Sequence, residues 1–446
     1  MDSLVDTHFI EQAAASPAPG RQGGPRVLVC AHAHPRISKG GAEVAAYELF
    51  RRVGAAPGHE AFLLAGAREN AYARCGSAIT QPFADNEFIY SVEDFDWFNF
   101  ANHDRRFPGA LTSLLHRLSP DIVHFHHYAH FGVEAFLHVR RALPKARIVV
   151  TLHEFLAICN HSGQMVKPDT FALCRQSSPV ACSKCFPSRD AADFFLRKRY
   201  VQHFFRFVDH FISPSAFLAE RYAEWGIPRE KLSVIENVTA LPMPRAVSVA
   251  PPAPRRPGTP LRVGFFGQIS RLKGIDVLLD AAEILGRDED APPVMIEING
   301  DDSSQTEAFR TRFRERMETA GPNVRLNGRY DSDQVDELMA GVDVIVMPSI
   351  WWENAPVVIR EAIRNRRPVI CSDIGGMREK VEHGRTGLHF PVGNAPALAA
   401  VLADLARAPE RLVALAEGMD AAQAEAETPL ASHLRLYEAL VEGASL

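Results

Sequence analysis

Apolar residues along the chain gather into short runs, each followed by a stretch with helical periodicity. Residues 26–31, 121–126, 147–152, 211–215 and 232–238 predict strands in a first half. Residues 262–266, 294–298, 323–326, 342–347, 368–372 and 387–390 predict strands in a second. Runs without polar alternation are what strands covered on both faces show, and such strands belong to parallel sheets. Between them lie helical patterns, such as Ala42, Ala45, Ala46, Leu49 and Phe50, or Val277, Leu278, Ala281 and Ala282. The expected class is α/β, with two successive Rossmann-like, doubly wound domains facing each other across a cleft.

The pattern stops at residues 241–260, where Pro242, Pro244, Pro251, Pro252, Pro254, Pro257 and Pro260 crowd a stretch without periodicity. It reads as an extended linker. The expected organisation is an arm over 1–25, a first domain over 26–240, the linker, a second domain over 261–430, and a helix over 431–446 returning to the first domain. Residues 190–211 predict a helix in which Phe194, Phe195, Tyr200, Phe204 and Phe205 alternate with Arg197, Lys198, Arg199 and Arg206. A core helix with a basic outer face is the favoured reading, and an interfacial membrane helix the alternative. The aromatic-rich residues 79–106 read as a loop region suited to choosing a partner molecule.

Composition narrows the function classes. With 446 residues, 46% hydrophobic and 23% charged, the chain is that of a globular protein too long for one core. A net charge of -5 gives no basis for nucleic acid as a partner. No run is long enough to span a membrane, and residues 1–25 lack the basic start and apolar core of a signal peptide, so a cytoplasmic location is expected. The seven cysteines are then expected to be reduced unless a metal holds them. Cys159, Cys174, Cys182 and Cys185 fall within a loop-like insertion over 159–187 and end in C-x-x-C. Four thiolates suit a structural zinc ion, and reduced cysteines under a loop are the alternative. His124, His126, His127 and His130 match no strong ligand spacing, so packing or polarity beside a ligand is favoured over a metal.

Two loops carry candidate chemistry. Gly267-Gln268-Ile269-Ser270-Arg271-Leu272-Lys273-Gly274 opens a helix and holds two cations, an arrangement suited to phosphate. It is not a P-loop. The stretch from Trp351 to Ala362 follows a buried strand and holds Glu353 and Glu361. Asn354 is the expected N-cap and Pro356 fits the first turn. Carboxylates accept from paired hydroxyls, so a ribose or sugar diol suits both glutamates, although a solvated helix glutamate would look the same. Phosphate from one loop and diols from the other point to a nucleotide-sugar. Gly40-Gly41 in the first half is not G-x-G-x-x-G, so no dinucleotide site is supported.

Together these pieces, from about residue 26 to 440, resemble the retaining glycosyltransferases of family four, which have the GT-B fold. The resemblance rests on Phe266-Gly267 through Lys273-Gly274 and on Pro348-Ser349 through Glu361-Ala362. Arg367 to Ser372, Gly375-Gly376, Glu379, Gly40-Gly41-Ala42-Glu43 and Thr151-Leu152-His153-Glu154 add to it. It implies a nucleoside-diphosphate sugar as donor and a glycan or lipid-linked acceptor, with no cofactor for catalysis and with peripheral contact at a membrane. It implies that Lys273 binds the donor diphosphate; Arg271 is a candidate for a second cation there. Glu361 would take the ribose, Glu353 the transferred sugar, with the backbone of Asn354 and Ala355 nearby. Gly41 would bring backbone to the phosphate or acceptor, and His153 would lie beside the reacting sugar. Gln268 stands where the family commonly has arginine. Glu154 stands where Asp is frequent, and Asn354-Ala355-Pro356 replaces a more glycine-rich loop.

Overall fold

The computed structural model describes residues 23–38, 40–68, 72, 74, 77–238, 258–425 and 428–443. The linker expected at 241–260 and the arm at 1–25 fall almost wholly outside them. The first domain holds strands β1 (Arg26–Ala31), β2 (Glu60–Ala67), β3 (Ile79–Ala84), β4 (Glu87–Ser91), the two-residue ribbon β5 (Phe95–Asp96) and β6 (Ala101–Asn102), β7 (Ile122–Phe125), β8 (Arg147–Thr151), β9 (His210–Ser213) and β10 (Leu232–Val234). The second holds β11 (Leu261–Phe266), β12 (Val294–Asn299), β13 (Val324–Gly328), β14 (Val344–Met347), β15 (Val369–Ser372) and β16 (Gly387–Phe390). The helices are α1 (Gly41–Ala55), α2 (Phe107–Leu118), α3 (Ala135–Ala142), α4 (Pro179–Cys185), α5 (Ala191–Phe205), α6 (Ala216–Trp225), α7 (Ile275–Arg287), α8 (Glu307–Glu318), α9 (Val335–Ala340), α10 (Val357–Arg364), α11 (Gly375–Lys380), α12 (Ala395–Arg407), α13 (Glu410–Glu425) and α14 (Pro429–Glu442).

The second sheet runs β13-β12-β11-β14-β15-β16, all parallel, which is the doubly wound order with its reversal between β11 and β14. The first runs β10-β9-β8-β7-β1-β2-β4-β3, parallel except for β3, and reverses between β1 and β7. In open sheets of this kind ligands bind beyond the carboxyl ends of the strands flanking the reversal. The loops after β11, β14, β1 and β7 are therefore where chemistry is to be sought.

Helices cover both faces of each sheet. Along β1, Leu28 and Cys30 enter a core shared with α2, α3, α5 and α6, while Val27, Val29 and Ala31 enter one shared with α1. Leu436, Tyr437 and Leu440 of α14 belong to that second core, so the chain's last described helix packs on the first domain. In the second sheet Leu261, Val263 and Phe265 pack with α7 and α12, and Ile345, Met347, Val369 and Cys371 with α9, α10 and α11.

Several local expectations change. Strand β2, Glu-Ala-Phe-Leu-Leu-Ala-Gly-Ala, has no β-branched residue and so no strand signature, yet it pairs with β1 over six positions. The segment 79–106 is ordered by β3 to β6. Phe98 and Phe100 are buried in packing, and Trp97 stays 44% exposed. Helix α5 ends at Phe205 and does not put its basic residues uniformly outward. Phe195 and Leu196 are exposed, while Arg197 is buried and donates to the carbonyl oxygens of Phe98, Ala157 and Leu156. Three carbonyls at loop ends need donors, and one guanidinium fork supplies them.

Candidate active site

The loop after β11 and the loop after β14 meet at the reversal point of the second sheet. Gly274 precedes α7 with φ +74°, and a Cβ there would overlap the Pro348 carbonyl oxygen. Only glycine permits that approach. The approach brings Lys273 to Glu353. The Lys273 Nζ donates to Glu353 Oε1 at 2.6 Å, and the same oxygen accepts from Ser349 Oγ at 2.9 Å and Trp351 Nε1 at 2.9 Å. Glu353 is buried, and its Oε2 holds none of these three bonds. The Glu353 carbonyl accepts from the Gly376 N–H at 2.6 Å, and a side chain at Gly376 would collide with the Asn354 backbone. The loop is thus fixed from both ends.

Glu361 projects from the second turn of α10. Burial, and then Asp336, raise its carboxyl above the ordinary value against the pull of Arg364. Tyr330 lies close enough for Glu361 to help raise its hydroxyl to about 12, behind burial as the larger cause. Tyr330 packs edge-on to Phe266 at 5.8 Å. An aromatic ring next to a carboxylate suits a nucleoside, base against ring and ribose against carboxylate. Of Tyr330, Ser349 and Trp351, only the last two fall in the stretch singled out in the sequence, and neither is given a role there. Trp351 had a signal, being next to Glu353, but nothing gives Tyr330 away before the sheet order is known.

The other expected residues fall into two groups. Gln268 is exposed and donates its amide to Ser304, and Arg271 lies over the Phe171 ring at 4.3 Å. Neither reaches Glu353. Asn354 does not cap α10, whose N-cap is Pro356 without a side-chain bond. Its amide instead donates across the cleft to the His153 carbonyl oxygen at 2.8 Å. That bond uses the amide N–H, whereas a cap would use the amide oxygen, which is buried without a partner; Pro356 has no N–H to offer it. Ala355 is half-buried beside it, and Gly41 opens α1 with Val357 of α10 as the nearest side chain.

The first domain contributes histidine–carboxylate pairs. His32 Nε2 lies 3.1 Å from Glu43 Oε1, and His127 Nε2 lies 2.5 Å from Glu154 Oε1. Burial works to raise the Glu154 carboxyl, but the surrounding His127, His153 and His32 outweigh it and hold it at about 2. His153 is held at about 4, burial being the main cause. His124, His126, His127 and His130 thus line and support this wall. His130 is bonded to the His32 carbonyl and to Arg68.

Cys159, Cys174, Cys182 and Cys185 all line one small cavity of about 20 Å³. Burial raises the Cys159 and Cys182 thiols, and Lys167 Nζ lies 3.5 Å from Cys185 Sγ. Among the described residues no group of three or more His, Cys, Asp or Glu is set to hold a metal ion. The insertion also reaches the second domain: Trp352 Nε1 donates to the Cys174 carbonyl at 3.2 Å, and the Trp352 ring stacks on Phe217 at 4.9 Å. Among the described residues no helix is long and apolar enough to cross a membrane.

Comparison with known proteins places this geometry. Residues 39–240 match the family model "Glycosyltransferase Family 4", and residues 250–419 match "Glycosyl transferases group 1". A D-inositol 3-phosphate glycosyltransferase of Corynebacterium urealyticum is 26% identical over 307 residues, 68% of this chain and 67% of that protein. A phosphatidyl-myo-inositol mannosyltransferase of Mycobacterium leprae is 30% identical over 217 residues, 46% of this chain and 55% of its own length. Among solved structures, Anabaena Alr3699/HepE in complex with UDP superposes with a TM-score of 0.65 at 18% identity, covering 94% of this chain and all of that one. A sucrose-phosphate synthase from Thermosynechococcus elongatus gives 0.65 at 19%, over 94% of this chain and all of its own. With one family model on each half and the two-sheet GT-B architecture between them, the chain belongs to the family 4, group 1 glycosyltransferases.

Proposed function

We propose that this glycosyltransferase moves a hexosyl group from a nucleoside-diphosphate sugar to a glycan or lipid-linked acceptor, with retention of anomeric configuration. The observation that carries the reading is the Lys273–Glu353 pair at the reversal point, with Glu361 in the second turn of the helix that follows Glu353. A donor diphosphate seated at the N-terminus of α7 would take Lys273 as its cation, and the free N–H groups of that helix would share its charge. Glu361 would accept from the ribose hydroxyls. Glu353 Oε2 and the backbone beside Asn354 and Ala355 would take the hydroxyls of the sugar.

Bond breaking leaves negative charge on the diphosphate, and fixed cations and helix dipoles stabilise it where it forms. No carboxylate is assigned as nucleophile: Oε1 of Glu353 is held by three donors, and Oε2 is given to the hydroxyls of the sugar. The acceptor hydroxyl would attack on the face the diphosphate leaves, and its proton would pass to the departing phosphate oxygen. The wall of His32, Glu43, His127, Glu154 and His153 faces that space and would orient the acceptor. Contacts between the domains, such as Asn354 to His153, would keep water from the donor. HepE in complex with UDP-glucose and UDP supports a uridine donor, and the mycobacterial relative supports a mannosyl one.

A second reading, nucleotide-sugar binding without transfer, rests on Gln268, a neutral residue held by Ser304. Release of nucleoside diphosphate from a panel of UDP-, GDP- and ADP-sugars, with and without glycan and lipid acceptors, separates the two. Transfer predicts acceptor-stimulated release from one donor. Binding without release from any donor supports the second reading, and neither binding nor release refutes both.

A further inference from the structure

We propose that His126 is a positioning residue that fixes the tautomer of His153, so that His153 presents an Nδ1–H donor to the cleft. His126 Nδ1 and His153 Nε2 are 3.1 Å apart. Two neutral imidazoles at that distance share one proton, and two arrangements are available. In one, His153 Nε2–H donates, and His126 must then carry its proton on Nε2. That atom is buried and has no hydrogen-bond partner. In the other, His126 Nδ1–H donates to a bare His153 Nε2, and the orphan on His126 is an acceptor. A buried orphan N–H is the rarer and costlier of the two. Burial keeps both rings neutral, so a charged pair does not compete.

The geometry around His126 holds the ring in place. The His124 ring packs against it at a tilt of 41° with centroids 4.5 Å apart, and both nitrogens of His124 are engaged, by Tyr437 Oη at 2.6 Å and Thr151 Oγ1 at 2.7 Å. His153 is pinned at its carbonyl by Asn354 of the other domain. Its Nδ1 is not among the buried atoms without a partner, and the ring is half-buried at the cleft, near Glu154, His127, His32 and Glu43. With the proton placed on Nδ1, His153 can donate to a hydroxyl or phosphate oxygen of a bound donor but cannot remove a proton there. The tautomer assignment is independent of the transfer reading above; its consequence for turnover rests on that reading.

The test is long-range ¹H–¹⁵N correlation on the full chain labelled at histidine, with His153 assigned by its loss in His153→Asn. The expected result is a neutral ring protonated at Nδ1. In His126→Phe, which removes the donor and keeps the bulk, the Nε2–H form should gain population. Turnover should fall about 10- to 100-fold, the range seen when an orienting partner behind a functional histidine is lost. His126→Asn places an amide N–H where Nδ1 was, and should restore the Nδ1–H signature and most of the turnover. An Nε2–H ring at His153 in the unmodified protein overturns the proposal, as does a tautomer unchanged in His126→Phe. Failure of every donor to react would overturn the transfer reading and leave the tautomer result standing by itself.

Discussion

Replacing Glu353 by Gln separates the structural and chemical work of one carboxylate. In the resting site Oε1 takes Lys273, Ser349 and Trp351 together. Glutamine keeps the shape and an acceptor oxygen for the hydroxyl and the indole, so the loss is concentrated on Lys273. Breaking a buried ion pair costs about 3–5 kcal/mol, because the remaining charge is stranded. The Lys273 side chain is 28% exposed and recovers part of its hydration, so about 2 kcal/mol is the better expectation here. At about 2–4 °C per kcal/mol for a domain of this size, the second domain should melt roughly 4–8 °C lower. The same change frees Lys273. Nucleoside diphosphate, which must displace the carboxylate from that ammonium, should bind as tightly as before or a few-fold more tightly. Sugar transfer should drop about 100-fold or more, since contacts realised in the transition state are worth that much. Scanning fluorimetry, titration calorimetry with UDP and GDP, and initial rates of diphosphate release measure the three quantities. A variant in which diphosphate affinity and turnover fall together, at unchanged stability, would refute the assignment of Lys273 and Glu353 to phosphate and sugar.

Further expectations follow from other residues. Glu361 has a raised carboxyl pKa in the fold, so its protonated form favours folding; that contribution is complete below the ordinary value of 4.5 and is lost as pH rises through the folded value. Donor binding needs the carboxylate and should weaken as pH falls through that same raised value, whereas Glu361→Gln should be more stable than the parent at neutral pH and bind donor about tenfold less tightly or worse. Unchanged donor affinity in calorimetry would remove Glu361 from the ribose site. Arg197→Met leaves the Phe98, Leu156 and Ala157 carbonyls without their donor and should cost about 3 kcal/mol or more in urea unfolding; a loss below about 1 kcal/mol would contradict that account. Glu379 of the second domain accepts from the Ala216 and Phe217 N–H groups at the start of α6 in the first, so Glu379→Ala should loosen the domains, read as a larger radius of gyration in solution scattering at little change in donor affinity.

The second domain was the more legible from sequence. Its strands β12, β14 and β15 are Val- and Ile-rich, its linkers short, and the glycines at 267 and 274 mark the loop that approaches the strand-end carbonyl of Pro348. The sheet order adds what the sequence lacks: β11 and β14 are neighbours, and this alone brings Lys273 to Glu353, 80 residues apart. The first domain was read less completely. Strand β2 is mostly Ala, Leu and Gly and is held by its neighbours rather than by propensity. Asn354 and Arg197 are the instructive cases. Local rules make one a cap and the other a solvated helix cation, and in both the side-chain N–H groups meet the demand of a backbone carbonyl distant in sequence. Such demands follow from tertiary contact, which periodicity does not encode.

The return of α14 has a consequence for how the chain comes into being. The core between β1, α1 and α14 includes Val238 and also Leu436, Tyr437 and Leu440. Between those two sets lies the whole second domain. At about 5–20 residues per second of synthesis, roughly 10–40 s separate the emergence of the first set from that of the second. During that interval the nascent first domain holds Val27, Val29 and Leu49 beneath a missing lid, and His124 lacks its Tyr437 partner. The second domain can close its own sheet before the first is sealed, so a chain whose amino-terminal half is made first completes that half last.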